Sequence, residues 1–142
     1  MKTALILGAK SGLGMAVSEL LAERKVNLIW AARNASTLYS KQKELSEKFS
    51  LKIEIVNFDA LDFSSHQKFA DLYGDDIDAV FCFIGYLPNQ QLASNSLLEQ
   101  QKTFDTNFRS LASILDKFAL KFERKKSGWI VGVSSIAGER VR

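Results

Sequence analysis

The stretch TALILGAKSGLG, from Thr3 to Gly14, is the part of the sequence that decides the fold. A short apolar run leads into three closely spaced glycines, and a helical pattern then runs from about Leu13 to Arg24. Glycines at such a turn let the backbone approach a bound phosphate, while free amides at the helix start point toward its negative charge. The spacing is G-x-x-x-G-x-G, and ordinary turns also collect glycines. Because strand, glycines and helix follow in the required order, we predict a dinucleotide-binding turn rather than a plain one.

Beyond this turn, short apolar runs alternate with stretches of helical character. The runs VNLIWAA, LKIEIVNF, DAVFCFIG and GWIVGVSS have the composition of further strands. Helices are predicted at about 36–49, at 64–73 and within 96–125, and Pro88 marks a loop after the fourth strand. Strands that alternate with helices form βαβ units, and nearly continuous apolarity suits strands buried on both faces. We therefore predict one α/β domain over residues 1–142: a Rossmann-like, doubly wound parallel sheet of about five strands, in the order 3-2-1-4-5, with helices on both faces.

The end of the second predicted strand indicates which dinucleotide is bound. In such folds an acidic residue about 20 positions after the glycines holds the ribose hydroxyls of NAD. Here the strand ends WAARN, so Ala31 and Ala32 precede Arg33 and there is no carboxylate to repel a 2′-phosphate. A guanidinium binds such a phosphate well, although an arginine at a strand end can also simply face solvent. We therefore expect NADP(H) rather than NAD(H) as the cofactor.

The bulk composition is that of an ordinary globular domain, with 46% apolar and 25% charged residues. No apolar run reaches the roughly 18 residues of a membrane span. The net charge of +3 is mild, and we expect the densest basic cluster, KFERKK at 121–126, to complement a helix dipole rather than to bind nucleic acid. The single cysteine, Cys82, cannot form an internal disulfide, so a cytoplasmic location is expected. No metal site is predicted.

Together these features resemble the short-chain dehydrogenase/reductase family, over essentially the whole chain but only the front part of a family domain. Gly8, Gly12 and Gly14 match the glycine motif of that family. Leu7 stands where a threonine is usual, and Lys10 lies one position before the basic residue that is often found in NADP-using members. The resemblance implies that this turn holds the cofactor's phosphates.

Two later segments extend the resemblance to the cofactor site. Asp59 in FDALD matches the aspartate that contacts adenine in the family, with Ala60 beside it, although a turn-capping role is the alternative. In CFIG only Gly85 matches the family's Asn-Asn-Ala-Gly, so asparagine-mediated support of the sheet is lost. The resemblance implies these cofactor-binding residues: Gly8, Lys10, Ser11, Gly12, Leu13, Gly14, Arg33, Asn34, Asp59, Ala60, Gly85 and Tyr86.

Two segments resemble the catalytic elements of the family. In FDTNFRSL, Asn107 matches the asparagine that holds a water of the proton relay, the alternative being a solvent-facing position. GWIVGVSSIAG resembles the segment with the catalytic serine, which the match places at Ser135, the alternative being a serine that satisfies backbone groups at a strand end. The resemblance implies hydride transfer between NADP(H) and a small ketone or alcohol, with Ser135 orienting the carbonyl.

The catalytic Tyr-x-x-x-Lys of the family normally follows the serine, and the sequence ends before it. Tyr39 and Lys43 have that spacing, but they follow the second strand and precede the serine, so we attribute the pattern to chance in a lysine-rich helix. We therefore expect the front part of a longer, homo-oligomeric oxidoreductase, inactive in this 142-residue form. SSIAGERVR is similar to a subgroup near the decaprenylphosphoryl-2-keto-ribose reductases, which assigns no substrate. The competing interpretation is a non-catalytic NADP(H)-binding sensor or regulatory module, favoured by CFIG and opposed by the serine segment.

Overall fold

The computed structural model describes residues 1–134, which fold around one parallel sheet of five strands. The strands lie in the order β3-β2-β1-β4-β5, which confirms the predicted order. Their bounds are β1 Thr3–Leu7, β2 Asn27–Ala32, β3 Ile53–Asn57, β4 Ala79–Cys82 and β5 Trp129–Gly132. The helices are α1 Gly12–Glu23, α2 Tyr39–Phe49, α3 His66–Tyr73, α4 Gln90–Asn95, α5 Leu97–Phe104 and α6 Ser110–Lys125. Short 3-10 turns at Ala35–Leu38 and Phe63–Ser65 precede α2 and α3, and a π-helical turn at Asp105–Arg109 joins α5 to α6.

β1 lies at the centre of the sheet, and both of its faces are covered. Leu5 is paired with Ile29 of β2 on one side and with Val80 of β4 on the other. Successive side chains of a strand face opposite sides, so Leu5 and Ile6 enter different halves of the core. The half around Leu5 includes aromatic residues of α3 and α6, namely Phe69, Tyr73, Phe118 and Phe122. The half around Ile6 includes Ala22 of α1 and Leu45 of α2. Burial on both faces explains why these strands have continuous apolar sequences.

The strand order determines where a ligand site can form. The chain passes from β1 to β2 on one side of the sheet centre and later returns to add β4 on the other side. In a doubly wound sheet the connections at this switch point leave a crevice at the carboxyl ends of the two strands. The turn after β1 and the segment after β4 therefore meet at one edge.

The basic end of α6 is fixed to the rest of the fold. Lys121 Nζ lies 3.1 Å from a carboxylate oxygen of Asp71 in α3. Lys125 Nζ donates a hydrogen bond to the carbonyl oxygen of Ile77 at 2.8 Å. Cations in the last helical turn also complement the helix dipole, as the sequence predicts for the KFERKK cluster. Two of the cluster's lysines thus hold α6 against α3 and the loop before β4.

β5 is the outer strand of the described sheet, where it pairs with β4. Trp129 is 69% exposed, and Ile130 and Val131 are about two-fifths exposed, at 39% and 40%. Apolar side chains on an open edge favour pairing with another polypeptide segment. Separately, none of the helices within residues 1–134 combines the length and apolar character needed to cross a membrane.

Candidate functional site

The turn between β1 and α1 packs directly against the end of β4, and two glycines permit that contact. Gly8 has a φ of +81°, and a Cβ atom there would lie 2.9 Å from the carbonyl carbon of Phe83. A Cβ at Gly14 would lie 2.8 Å from the carbonyl oxygen of Gly8. Side chains do not tolerate contacts below 3.0 Å with backbone atoms, so the packing of the turn requires glycine at both positions.

Gly12 differs from these two glycines. A Cβ atom at Gly12 would meet nothing within 4 Å, and the residue faces an open cavity at the start of α1. Packing within the described chain therefore does not require glycine here. Close approach of a ligand to the backbone does require it, because any side chain would stand between the two.

The first turn of α1 presents free backbone donors. Ser11 is the N-cap residue, and its Oγ accepts a hydrogen bond from the Gly14 amide at 2.9 Å. Helix geometry leaves the amides of Gly12 and Leu13 without an intrahelical acceptor. Together with the positive end of the helix dipole, these amides can bind an anionic group. Ser11 thus satisfies the third amide of the turn and leaves the first two for a ligand.

A cleft of about 790 Å³ runs along the carboxyl edge of β1 to β4. Most of the residues predicted to bind cofactor line it: Gly8, Lys10, Ser11, Arg33, Asn34, Asp59, Ala60, Gly85 and Tyr86. A second cavity of about 810 Å³ adjoins it, shares Ser11, Gly85 and Tyr86, and adds Gly12, Leu13 and Asn107. Gly14 lines neither cavity and packs beneath the turn. The structure therefore brings residues from five separate segments of the sequence to one edge of the sheet.

Two basic residues, Lys10 and Arg33, contact each other where β1 and β2 end. Lys10 Nζ donates to the carbonyl oxygen of Arg33 at 3.4 Å. Asn34 follows with a left-handed φ of 49°, and Asn57 Oδ1 accepts from the Ala35 amide at 2.9 Å. These two features fix the backbone turn that carries Arg33, and Arg33 and Lys10 both line the cleft.

Asp59 combines a local role with a position in the cleft. Its Oδ1 accepts a hydrogen bond from the Leu61 amide at 3.0 Å, which is the turn-capping contact that the sequence left open as an alternative. The residue also lines the cleft beside Ala60. Among the charged residues of that lining, Asp59 is the acid, whereas Lys10, Arg33 and Lys102 are bases. The cleft is therefore suited to an anionic ligand.

A buried histidine supports the loop that contains Ala60. His66 is 1% exposed, and its ring nitrogens lie 3.0 Å from the Ala60 carbonyl oxygen and 2.9 Å from Ser113 Oγ. A carbonyl oxygen only accepts, so Nε2 carries the proton toward Ala60 and Nδ1 accepts from the serine hydroxyl. Burial lowers the pKa of His66, which favours this neutral form. Nothing in the sequence pattern singled out this residue, because its partner Ser113 is 47 positions away along the chain.

Asn107 holds the segment after β4 by its backbone. Its Nδ2 donates to the Tyr86 carbonyl oxygen at 2.7 Å, and its Oδ1 accepts from the Tyr86 amide at 2.7 Å. Asn107 lies in the π-helical turn, an irregularity that occurs frequently at functional sites. The carboxamide retains one N–H and one lone pair, so these contacts leave room for a water molecule as well.

The side chain of Tyr86 belongs to a cluster that the sequence did not reveal, which we call the rim cluster: Tyr86, Glu99 and Lys102. The Tyr86 hydroxyl donates to Glu99 Oε2 at 2.7 Å. Lys102 Nζ lies 4.2 Å from the centre of the Tyr86 ring and 3.9 Å from Glu99 Oε1. Tyr86 and Lys102 both line the cleft, so this cluster forms its β4 side.

The remaining predicted or excluded residues lie elsewhere. Ser135 is outside the described residues, although Ser134 lines the second cavity. Tyr39 begins α2, is 61% exposed and lines neither cavity. Lys43, also on α2, lines neither cavity, and its Nζ lies 3.9 Å from Glu47 Oε1. Cys82 is buried, and burial raises the pKa of its thiol. Within residues 1–134, no three histidine, cysteine, aspartate or glutamate side chains are grouped as a metal site would require.

Comparison with known proteins identifies the family. The sequence model of the short chain dehydrogenases matches residues 2–142. An uncharacterized oxidoreductase of Listeria monocytogenes is 30% identical over 141 residues, an alignment that covers 96% of this chain and 56% of the relative. A 3-oxoacyl-acyl-carrier-protein reductase of Chlamydia muridarum is 31% identical over 147 residues, an alignment that covers 98% of this chain and 57% of the relative. The chain thus spans about half the length of the curated relatives it matches.

Solved structures share the fold at lower identity. An alcohol dehydrogenase of Comamonas testosteroni, specific for bulky-bulky ketones, superimposes with a TM-score of 0.88 at 22% identity over 99% of this chain and 57% of that chain. A short-chain dehydrogenase of Sphingobium yanoikuyae in complex with NADPH gives 0.85 at 21% identity, covering 98% and 56%. A 3-oxoacyl-acyl-carrier-protein reductase of Brucella melitensis with bound NAD gives 0.86 at 21% identity, covering 99% and 56%. With a family match over residues 2–142 and the same sheet around the same edge, the chain belongs to the short chain dehydrogenase family.

Proposed function

We propose that this chain is the cofactor-binding part of an NADP(H)-dependent oxidoreductase that moves hydride between nicotinamide and a ketone or alcohol. The observation that carries the proposal is the cleft at the carboxyl edge of the sheet, where the glycine turn, Lys10 and Arg33 meet. Membership of the short chain dehydrogenase family supports a nicotinamide-dependent oxidoreductase. The relatives named as reductases support a carbonyl substrate.

The residues present fit a dinucleotide. The amides of Gly12 and Leu13 would receive phosphate oxygens, and the open space over Gly12 leaves room for a close approach. Asp59 and Ala60 line the same cleft, which supports the proposal that they would contact adenine. Gly85 and Tyr86 line both cavities and so stand where the two halves of an extended cofactor would join.

The preference for NADP(H) rests on this chain's own residues, because similar structures contain NADPH in one case and NAD in another. β2 ends at Ala32, and the residue that follows is Arg33 rather than an acid. The Lys10 ammonium donates to the backbone carbonyl oxygen of Arg33, and both residues line the cleft. A guanidinium and an ammonium together would bind a 2′-phosphate by charge-assisted hydrogen bonds, which NAD(H) cannot form.

The catalytic roles follow the resemblance and remain part of the proposal. When bound, the cofactor supplies the nicotinamide carbon that gives or takes hydride. Ser135 would donate its hydroxyl proton to the substrate carbonyl and so orient it. Asn107 fixes the backbone of Tyr86, and its remaining N–H and lone pair would hold a water of the proton relay. The Tyr86 hydroxyl is already donated to Glu99, so we assign it no proton-transfer role.

The test is NADPH consumption with a panel of ketones, measured for the 142-residue chain and for the full-length gene product. We expect the 142-residue chain to bind NADPH without turnover, because no Tyr-x-x-x-Lys follows Ser135 in it. We expect the full-length protein to oxidise NADPH and its Ser135→Ala variant to lose about 100-fold or more of the rate, as is typical for acid–base groups. Turnover by the 142-residue chain would contradict the catalytic assignment.

One specific observation favours a second candidate function, a non-catalytic NADP(H)-binding module. Phe83 and Ile84 stand where the family has asparagine and alanine, and both line the cleft. Backbone contacts to a cofactor survive such a change, whereas side-chain support of the catalytic geometry does not. A full-length protein that binds NADPH tightly but does not oxidise it with any ketone of the panel would favour this module over the enzyme.

A further inference from the structure

Lys102 reaches the cleft from a different side than the two cations at the end of β2. It lies on α5 and lines the cleft beside the segment after β4, whereas Lys10 and Arg33 lie where β1 and β2 end. Neither the sequence pattern nor the resemblance assigns it a role. Its placement therefore needs an explanation of its own.

Lys102 lines the same cleft as Gly8, Lys10 and Ser11 of the glycine turn. The Lys102 ammonium lies over the face of the Tyr86 ring at 4.2 Å, a distance typical of a cation–π contact. Tyr86 in turn lines the second cavity together with Gly12 and Leu13, the two residues with free amides. Asn107 fixes the backbone of Tyr86 by two hydrogen bonds, and the bond from the Tyr86 hydroxyl to Glu99 holds the ring that supports the ammonium.

Among residues 1–134, the Lys102 ammonium is only partly paired. Its Nζ lies 3.9 Å from Glu99 Oε1, at the outer limit of an ion pair, while Glu99 Oε2 accepts from the Tyr86 hydroxyl at 2.7 Å. An ammonium carries three N–H donors, so donors remain for a second anion. The side chain is 44% exposed, which leaves it accessible from the cleft.

We propose that Lys102 is a further cofactor-binding residue that contacts the pyrophosphate, the anionic group common to NADP(H) and NAD(H). This inference rests on the proposed function, because it requires a dinucleotide in the cleft. The cations of the cleft would then have different roles. Arg33 and Lys10 bind the 2′-phosphate and set the preference for NADP(H), whereas Lys102 strengthens the binding of both NADP(H) and NAD(H).

The experiment compares two fragments of the cofactor by calorimetry on the 142-residue chain. ADP-ribose carries the pyrophosphate without a 2′-phosphate, and 2′-AMP carries the 2′-phosphate without a pyrophosphate. In Lys102→Met we expect ADP-ribose to bind about three- to fivefold more weakly, as expected for a partly exposed ion pair, with 2′-AMP changed less than about twofold. In Arg33→Ala we expect the opposite: 2′-AMP should bind more weakly, and the affinity for ADP-ribose should change little. Lys43→Met removes the same charge from α2, away from both cavities, and is the matched control.

Two further measurements separate a charge effect from a packing effect. Lys102→Arg should restore ADP-ribose binding, and the loss in Lys102→Met should shrink as salt screens the interaction. ADP-ribose affinity in Lys102→Met equal to that in Lys43→Met would overturn the inference and leave the proposed function standing. A salt-independent loss, or an equal loss for both fragments, would overturn it as well. Failure of the unaltered chain to bind either fragment or NADPH would instead contradict the proposed function.

Discussion

Replacing Gly12 with alanine should weaken cofactor binding without destabilising the fold, whereas the same change at Gly8 should destabilise the fold. At Gly8 a Cβ would lie 2.9 Å from a backbone carbon, and the φ of +81° is itself unfavourable for alanine by roughly 1–2 kcal/mol. Overpacking against the backbone adds about 1–3 kcal/mol. At Gly12 a Cβ meets nothing within 4 Å, so alanine should stabilise the helix start by up to about 1 kcal/mol through the unfolded state.

The assay pairs urea denaturation with NADPH titration for both variants. Gly8→Ala should lower the free energy of unfolding by about 2–5 kcal/mol, from the strain and overlap terms together. Gly12→Ala should unfold at the same urea concentration as the unaltered chain, or a higher one, yet bind NADPH about tenfold more weakly or worse, which is ~1.4 kcal/mol. Unchanged NADPH affinity in Gly12→Ala would refute the reasoning, because it would mean that no ligand approaches this backbone.

Three further predictions follow from the same contacts. Arg33→Ala should weaken NADPH binding by about 1–3 kcal/mol and NADH binding less, as calorimetry would measure, and equal losses would remove its assigned role. His66 is the single histidine of the chain and its folded pKa is lowered, so the unfolded state binds more protons below about pH 6.5. The free energy of unfolding should therefore fall as the pH drops through and below that value, and a His66→Gln variant should lose this slope. The 142-residue chain should self-associate through the open edge of β5, and Trp129→Lys should reduce the association seen by light scattering; a clean monomer before substitution would speak against this edge as the cause.

The features that could be predicted from the sequence are those determined by residues close together along the chain. β1, β2 and β4 are recognisable because strands buried on both faces need continuous apolar runs, such as those around Leu5 and Val80. β5 has a similar apolar run, but its residues are exposed in the described part of the chain. The glycine turn is recognisable because Gly8 and Gly14 fall between a strand and a helix at fixed spacing. Arg33 is informative for the same reason, since its position at a strand end is local.

The features that could not be predicted depend on contacts between distant residues. His66 meets Ser113 across 47 positions, and the Tyr86 hydroxyl meets Glu99 across 13, and no short pattern encodes either pair. Asn107 was singled out, but its two hydrogen bonds to a backbone 21 positions away were not. α4 was missed because its six residues, capped by Asn89, are too short to show a helical period.

The most direct test of the central claim is an NADPH titration followed by the backbone amide signals of the isotopically labelled chain. We predict that NADPH shifts the signals of the glycine turn, of Arg33 and of Ala60 together, with one affinity. NADH should shift the signals of the glycine turn and of Ala60 at higher concentrations. These residues come from three segments that only the folded cleft unites. Shifts confined to other surfaces, such as the basic end of α6, or no shifts at all, would contradict the assignment of this cleft to the cofactor.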